Sequence, residues 1–240
     1  MDPRYKSPET NLLQIETDEF RDLSRHTTIL VWMLRLGALL AVLAVWSNWL
    51  QLELLSRHYT LEEAQANDLR ERSIALSVVV VSLATFIVFG RWIVVAHRNL
   101  PALGAEDLDV RPGWAVGWFF VPFANLWKPY QAMRTLWKAS HDGPRWEYGD
   151  GHFLLGLWWT LWIVSSVLGS VFFRTTMRAT TIPQIIDSTR AVLVNSAIDI
   201  PQYIVAWFLV KMIWEAQVSQ RQRQLAGERS PDLRDFSAQV

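Results

Sequence analysis

The run from Phe153 to Phe173 constrains this chain more than any other feature: 21 residues in succession without a charged side chain. In hydrocarbon every backbone N–H and C=O must be paired internally, so a run of about 20 such residues crosses as a helix. Three further segments read the same way, at residues 27–51, 73–96 and 191–214. The sequence therefore predicts an all-α integral membrane helical bundle with four full transmembrane helices. A polar arm, residues 1–26, precedes a single membrane domain, 27–214, and a polar tail, 215–240, follows. Leu12, Leu13, Ile15, Phe20 and Leu23 give the arm a weakly amphipathic helical pattern. Gly37, Ala38, Ala41 and Ala44 recur at helical spacing in the first span, a small-residue strip suited to close helix packing.

The connections are polar. Thr60-Leu61-Glu62-Glu63 has the form of a capping box, with Thr60 and Glu63 satisfying each other's backbone donors. An acidic helix is expected from there into the second span. Residues 174–190 form the other polar connection, where Pro183 can open a helix.

Between the second and third spans lies the densest aromatic stretch, Pro112–Trp137, punctuated by Pro112, Pro122 and Pro129. Gly113–Leu126 is apolar but only about half a span long. Pro122 removes a backbone donor within it, so 113–140 reads as a re-entrant or interfacial Pro-broken aromatic element. A helix is expected from Pro129, with Tyr130, Met133, Leu136, Trp137 and Ser140 on one face and Gln131, Arg134 and Lys138 on the other. Such a face pairing describes a helix lying in the membrane interface.

The run PGWAVGWFFVPFANLWKPYQAMRTLWKAS closely resembles the core signature of a bacterial membrane family, domain-of-unknown-function family 4328. Pro112, Gly113, Trp114, Gly117, Trp118, Pro122, Asn125, Pro129 and Tyr130 carry the resemblance. Trp92, Arg98-Asn99-Leu100 and Leu103-Gly104 extend it upstream, so that it covers roughly residues 32–217. It implies a multi-pass membrane protein and brings no catalytic residues with it.

Charge sets the expected orientation. With four spans and both termini cytosolic, 14 of the 23 Lys and Arg residues fall on the inner side and 6 on the outer. The positive-inside rule thus favours four spans with the aromatic stretch not crossing, and the expected location is the cell (inner) membrane with both termini cytosolic. Net charge is zero, which argues against nucleic acid as a partner. Cysteine is absent, which removes disulfides, thiolate nucleophiles, Cys-ligated zinc and iron–sulfur clusters. His26, His97, His141 and His152 would share the inner face, but imidazoles at one depth do not make a b-type haem or metal site, and no cofactor is assigned. No Walker loop, HExxH, GxSxG or kinase signature anchors an enzyme reading.

Two groups of residues invite a functional reading. Asp199 lies within the last span, with Asn195 and Gln202 on its face. A carboxylate at membrane depth is costly and marks either a functional site or a structural pair, for which Arg35 and Arg91 are the available cations. Trp127, Lys128, Tyr130, Arg134, Trp137 and Lys138 combine aromatic and basic groups in the pattern that holds lipid phosphates. The sequence favours a non-enzymatic scaffold or sensor that contacts the bilayer, anionic lipids included, or a partner through 112–140. The alternative is a small-solute or ion carrier using Asp199.

Overall fold

The computed structural model describes residues 20–229, and these form helices joined by loops, without strands. The amphipathic pattern at Leu12, Leu13 and Ile15 and the end of the tail lie outside the described residues. Six α-helices run in the order α1 (Ser24–Leu55), α2 (Leu61–Arg98), α3 (Trp114–Gly117), α4 (Lys128–Asp142), α5 (Phe153–Arg178) and α6 (Ile182–Arg229). Four of them, α1, α2, α5 and α6, are long and apolar enough to cross a membrane, as the sequence predicts.

All four of these helices outrun the apolar segments that announce them, and before the second span the Glu-, Ala-, Gln- and Arg-rich sequence from Leu61 has the helix propensity to do so. The α2 helix starts at Leu61 rather than near residue 73. The capping box forms there: the Thr60 N–H donates to Glu63 Oε2 at 2.8 Å, and the Glu63 N–H to Thr60 Oγ1 at 3.2 Å. The 174–190 connection shrinks as well, since α5 continues to Arg178 and α6 begins at Ile182. Pro183 thus opens the last long helix itself.

The chain divides into two compact units. The first comprises Met1–Thr27, Gly90–His152 and Val210–Val240; the second comprises Thr28–Phe89 and Phe153–Leu209.

The second unit holds the apolar bulk of the four long helices. Its interior contains Leu30, Leu34, Ala41 and Ala44 of α1, Leu155, Trp158 and Trp159 of α5, and Val205, Ala206 and Leu209 of α6. The small strip on α1 does what its spacing implies: an added Cβ at Gly37 would come within 2.6 Å of the Tyr203 ring. Much larger apolar side chains point outward, among them Trp32, Leu39, Leu76, Leu83 and Ile87. Only 11% of the most apolar window of α2 is buried within the protein. An apolar surface on that scale belongs in lipid, and the chain is a membrane protein.

The first unit is built on α4. Its buried residues, Ala132, Met133, Leu136, Trp137, Ala139 and Ser140, pack with Trp92, Ile93, Leu100, Leu103 and Ile213 in the unit's core. Trp92 is fully buried, and its indole N–H donates to Thr27 Oγ1 at 2.9 Å. The apolar face of α4 is thus turned into the core of the unit. The face carrying Met133, Leu136, Trp137 and Ser140 is covered by protein, and only Gln131 and Arg134 of the polar face are fully exposed. A face that wide and apolar serves a core as well as it serves lipid, and periodicity alone does not distinguish the two.

The Pro-rich stretch before α4 is broken as expected. After α3 come two 3₁₀ turns, Trp118–Phe120 and Ala124–Leu126, separated by extended Val121 and by Phe123 at φ 64°. A large aromatic residue with positive φ is rare outside turns. Phe123 takes that conformation with its side chain 79% exposed, beside exposed Phe120, Leu126 and Trp127.

Candidate functional site

Asn195 and Asp199 stand one turn apart on α6, so their side chains share a face. Ser165 of α5 meets them: its hydroxyl donates to Asp199 Oδ1. Asn195 Nδ2 lies 3.4 Å from Asp199 Oδ2 and 3.5 Å from Ser165 Oγ. Asn195 Oδ1 is buried without a hydrogen-bond partner. Two residues beyond the carboxylate, Pro201 continues inside the helix. Proline has no N–H, so the Ala197 carbonyl loses its intrahelical donor beside the same group.

Asn195 and Asp199 open onto a cleft of about 630 Å³ within the second unit. Its lining is mixed. Val78, Phe172 and Met177 contribute apolar surface, whereas Asn48, Thr189 and Ser196 contribute polar groups. Glu71 and Arg72 also line it. Glu71 is already engaged, accepting from Ser47 Oγ at 2.6 Å and lying 3.6 Å from Arg70. Among the described residues Asp199 has no ion-pair partner. A cleft of this size, mostly apolar with a few convergent polar groups, has the make-up of a small-molecule site.

The structure places the other sequence-predicted residues elsewhere. Gln202, two turns beyond Asn195, does not line the cleft, and its Oε1 is buried without a partner. Arg35 stacks between two indoles, with its guanidinium 5.1 Å from the Trp32 ring and 4.4 Å from the Trp207 ring. Arg91 donates to His26 Nε2 at 3.3 Å in the first unit. Among the described residues Arg35 makes no ion pair with Asp199. Ser165 escaped the sequence reading as a polar partner, because a serine in an apolar span reads first as a packing residue.

In the first unit, Lys128, Arg134 and Lys138 line one groove of about 380 Å³ together with Trp118 and Asp109. The Lys128 ammonium lies 5.8 Å over the Trp118 ring, and Lys138 donates to the Glu147 carbonyl at 2.9 Å. Trp127 is exposed beside them and Tyr130 is half-buried. Trp137 is separated from this group. It is 6% exposed, its ring stacked on His141 at 4.1 Å and close to His152 at 4.9 Å. His97 is buried between two carbonyls, its ring nitrogens 2.9 Å from Ile93 O and 3.3 Å from Ala132 O.

The residues of the aromatic signature have structural work in this geometry. Trp92 anchors Thr27. Asn99 is fully buried and holds the backbone of Arg21. Pro129 lies in the first turn of α4, and Trp114 and Trp118 pack with ring centroids 4.7 Å apart. A Cβ at Gly117 would press on Trp114 at 3.1 Å.

Residues 56–215 match the family described as Domain of unknown function (DUF4328). No curated protein and no solved structure matches the chain.

Proposed function

The chain belongs to the DUF4328 family, and for this member we propose a role as a membrane carrier or receptor for a small organic cation, held in the Asp199 cleft. The observation that supports it most directly is a carboxylate lining a cleft of about 630 Å³ among spanning helices, with no ion-pair partner among the described residues although Arg72 also lines the cleft. A charge at that depth is costly unless paired, and an ammonium group would supply the pairing. The aromatic rings of Phe172 and Phe173 suit its alkyl groups and attract its charge through their faces. Ser165 and Asn195 orient the carboxylate. The protein lies in the cell (inner) membrane with both termini cytosolic, in keeping with the distribution of Lys and Arg.

Proteoliposomes loaded with radiolabelled tetraethylammonium, and with a pH-sensitive dye in parallel, test this reading. Flux or saturable binding is expected in the wild type and its loss in Asp199→Asn, with an unchanged melting temperature. Wild-type protein that neither binds nor moves the cation or protons would refute it.

A second reading rests on the exposed aromatic residues of 112–127. Phe120, Phe123 and Trp127 beside Lys128 and Arg134 suit a scaffold or sensor whose re-entrant or interfacial segment meets anionic headgroups. Lys128→Gln with Arg134→Gln would then abolish the preference for anionic over neutral vesicles while leaving any Asp199-dependent flux intact.

A further inference from the structure

Three arginines from separate stretches of the first unit line one cavity of about 370 Å³. Arg21 precedes α1, Arg98 ends α2 and Arg111 leads into α3. Their convergence is fixed by buried groups. The Asn99 side chain grips the backbone of Arg21, accepting from its N–H at 2.9 Å and donating to its carbonyl at 2.9 Å. Gln217 in turn accepts from Asn99 Nδ2 at 3.2 Å. Arg98 is the chain neighbour of Asn99. The backbone of Arg111 is held because its carbonyl accepts from Trp114 N–H at 2.9 Å and Ala115 N–H at 3.2 Å.

The guanidiniums themselves are uncommitted. None of the three makes a side-chain hydrogen bond or ion pair among the described residues, and no described carboxylate lines the cavity. Asp22, next to Arg21, accepts from the Ser24 N–H at 2.8 Å and the Ser24 hydroxyl at 2.7 Å. His97 closes the cavity with both ring nitrogens already placed on carbonyls, so it is a wall rather than a ligand. Leu108, Val110 and Pro112 complete the enclosure with apolar surface.

Like charges gathered without an acid repel one another, and a multiply charged anion reverses that repulsion. Guanidinium forks match phosphate oxygens in pairs. We infer that the Arg21–Arg98–Arg111 cavity is a binding site for a phosphate group carrying two or more charges, borne by a small solute or by a lipid headgroup. The site shares no residue with the Asp199 cleft and is independent of the reading proposed for it.

The full chain in nanodiscs of neutral phosphatidylcholine, titrated with pyrophosphate by calorimetry, tests the solute source. Nanodiscs containing phosphatidic acid, followed by native mass spectrometry of retained lipid, test the headgroup source. One-site binding is expected in one arm, weakened at least tenfold by Arg98→Gln and by Arg111→Gln and unaffected by Arg134→Gln. Arg111→Gln serves if Arg98→Gln fails to fold, since Arg111 is an exposed loop residue. Pyrophosphate binding assigns a soluble phosphate, and retention of phosphatidic acid alone assigns the headgroup. Failure of the wild type to bind either ligand would overturn the inference, as would binding that both arginine substitutions leave unchanged.

Discussion

A polar cluster in the interior of each unit invites comparison, Asn99–Gln217 in the first and Asn195–Asp199 in the second, and the two differ in how completely they are satisfied. In the first unit, Asn99 accepts from Arg21 N–H and donates to Arg21 O and Gln217 Oε1. Gln217 Nε2 donates to the Ala96 carbonyl and to Ser140 Oγ, both at 3.0 Å. Every polar atom of the two amides has a partner. In the second unit, Asn195 makes only contacts of 3.4–3.5 Å, and Asn195 Oδ1 and Gln202 Oε1 have none. Burial without a partner costs roughly 1–3 kcal/mol per group. A saturated cluster is accounted for by the fold it holds together. An unsaturated one beside a cleft is not accounted for in that way, and the ligand proposed for the cleft would account for it.

The sharpest way to break this contrast is to remove the centre of the saturated cluster. Gln217→Ala takes one of its two acceptors from Asn99 Nδ2 and removes the Gln217 donor from Ser140 Oγ and the Ala96 carbonyl, all inside the protein. We expect a loss of about 3 kcal/mol, since several buried groups lose partners together, read as a lowered unfolding midpoint in detergent. If Gln217→Ala costs no more than Asn195→Ala, saturation does not separate the two clusters.

Gly37→Val probes the apolar side of the second unit. The new side chain would drive into the Tyr203 ring and displace the Tyr203 hydroxyl from Ser82, 3.1 Å away. Overpacking of this kind costs about 2 kcal/mol. Gly37→Ala with Tyr203→Leu should recover most of it, and failure of that rescue in the same unfolding assay would detach Gly37 from helix packing.

The contrast also explains what the sequence could and could not tell. The four spans were legible because apolar length is a property of one segment, and so was the Thr60–Glu63 box, whose partners lie three residues apart. Asp199 stood out because a carboxylate in a span is anomalous by itself. Its partner was not legible: Ser165 lies on another helix, and no local pattern ties the two. The α4 helix is the instructive case. Its amphipathic face was read correctly, but what covers that face was not legible: Trp137 is buried with its ring on His141 and close to His152, and the latter lies 15 residues on, beyond any local pattern. Gln217 was nearly legible, since it continues the buried stripe of Val210 and Ile213 at helical spacing as a polar residue on an apolar face.

On the unsaturated side, stability and function should come apart. Asp199→Asn keeps the shape and most of the hydrogen-bonding capacity, so we expect a change within about 1 kcal/mol alongside complete loss of cation binding. Asn195→Ala should cost still less, about 0.5 kcal/mol, because its bonds are long. A large destabilisation by either substitution, measured by the same midpoint, would make the cluster structural.

The smallest effect is expected where a polar group is fully satisfied but exposed, which isolates the role of water. The Asp22 carboxylate accepts from both the hydroxyl and the N–H of Ser24, an Asx-turn leading into α1, and the Ser24 bonds, the hydroxyl first, hold its pKa below the ordinary carboxylate value. A depressed carboxylate stabilises the folded state fully above its unfolded pKa of about 3.9, and the contribution fades as pH falls through the lowered folded value. Solvent competes for these bonds, so Asp22→Ala should cost only about 0.5 kcal/mol at pH 7. The difference between wild type and variant should narrow progressively below about pH 4. A cost near that of Gln217→Ala would mean that the number of hydrogen bonds, and not the exclusion of water from them, distinguishes the two interior clusters.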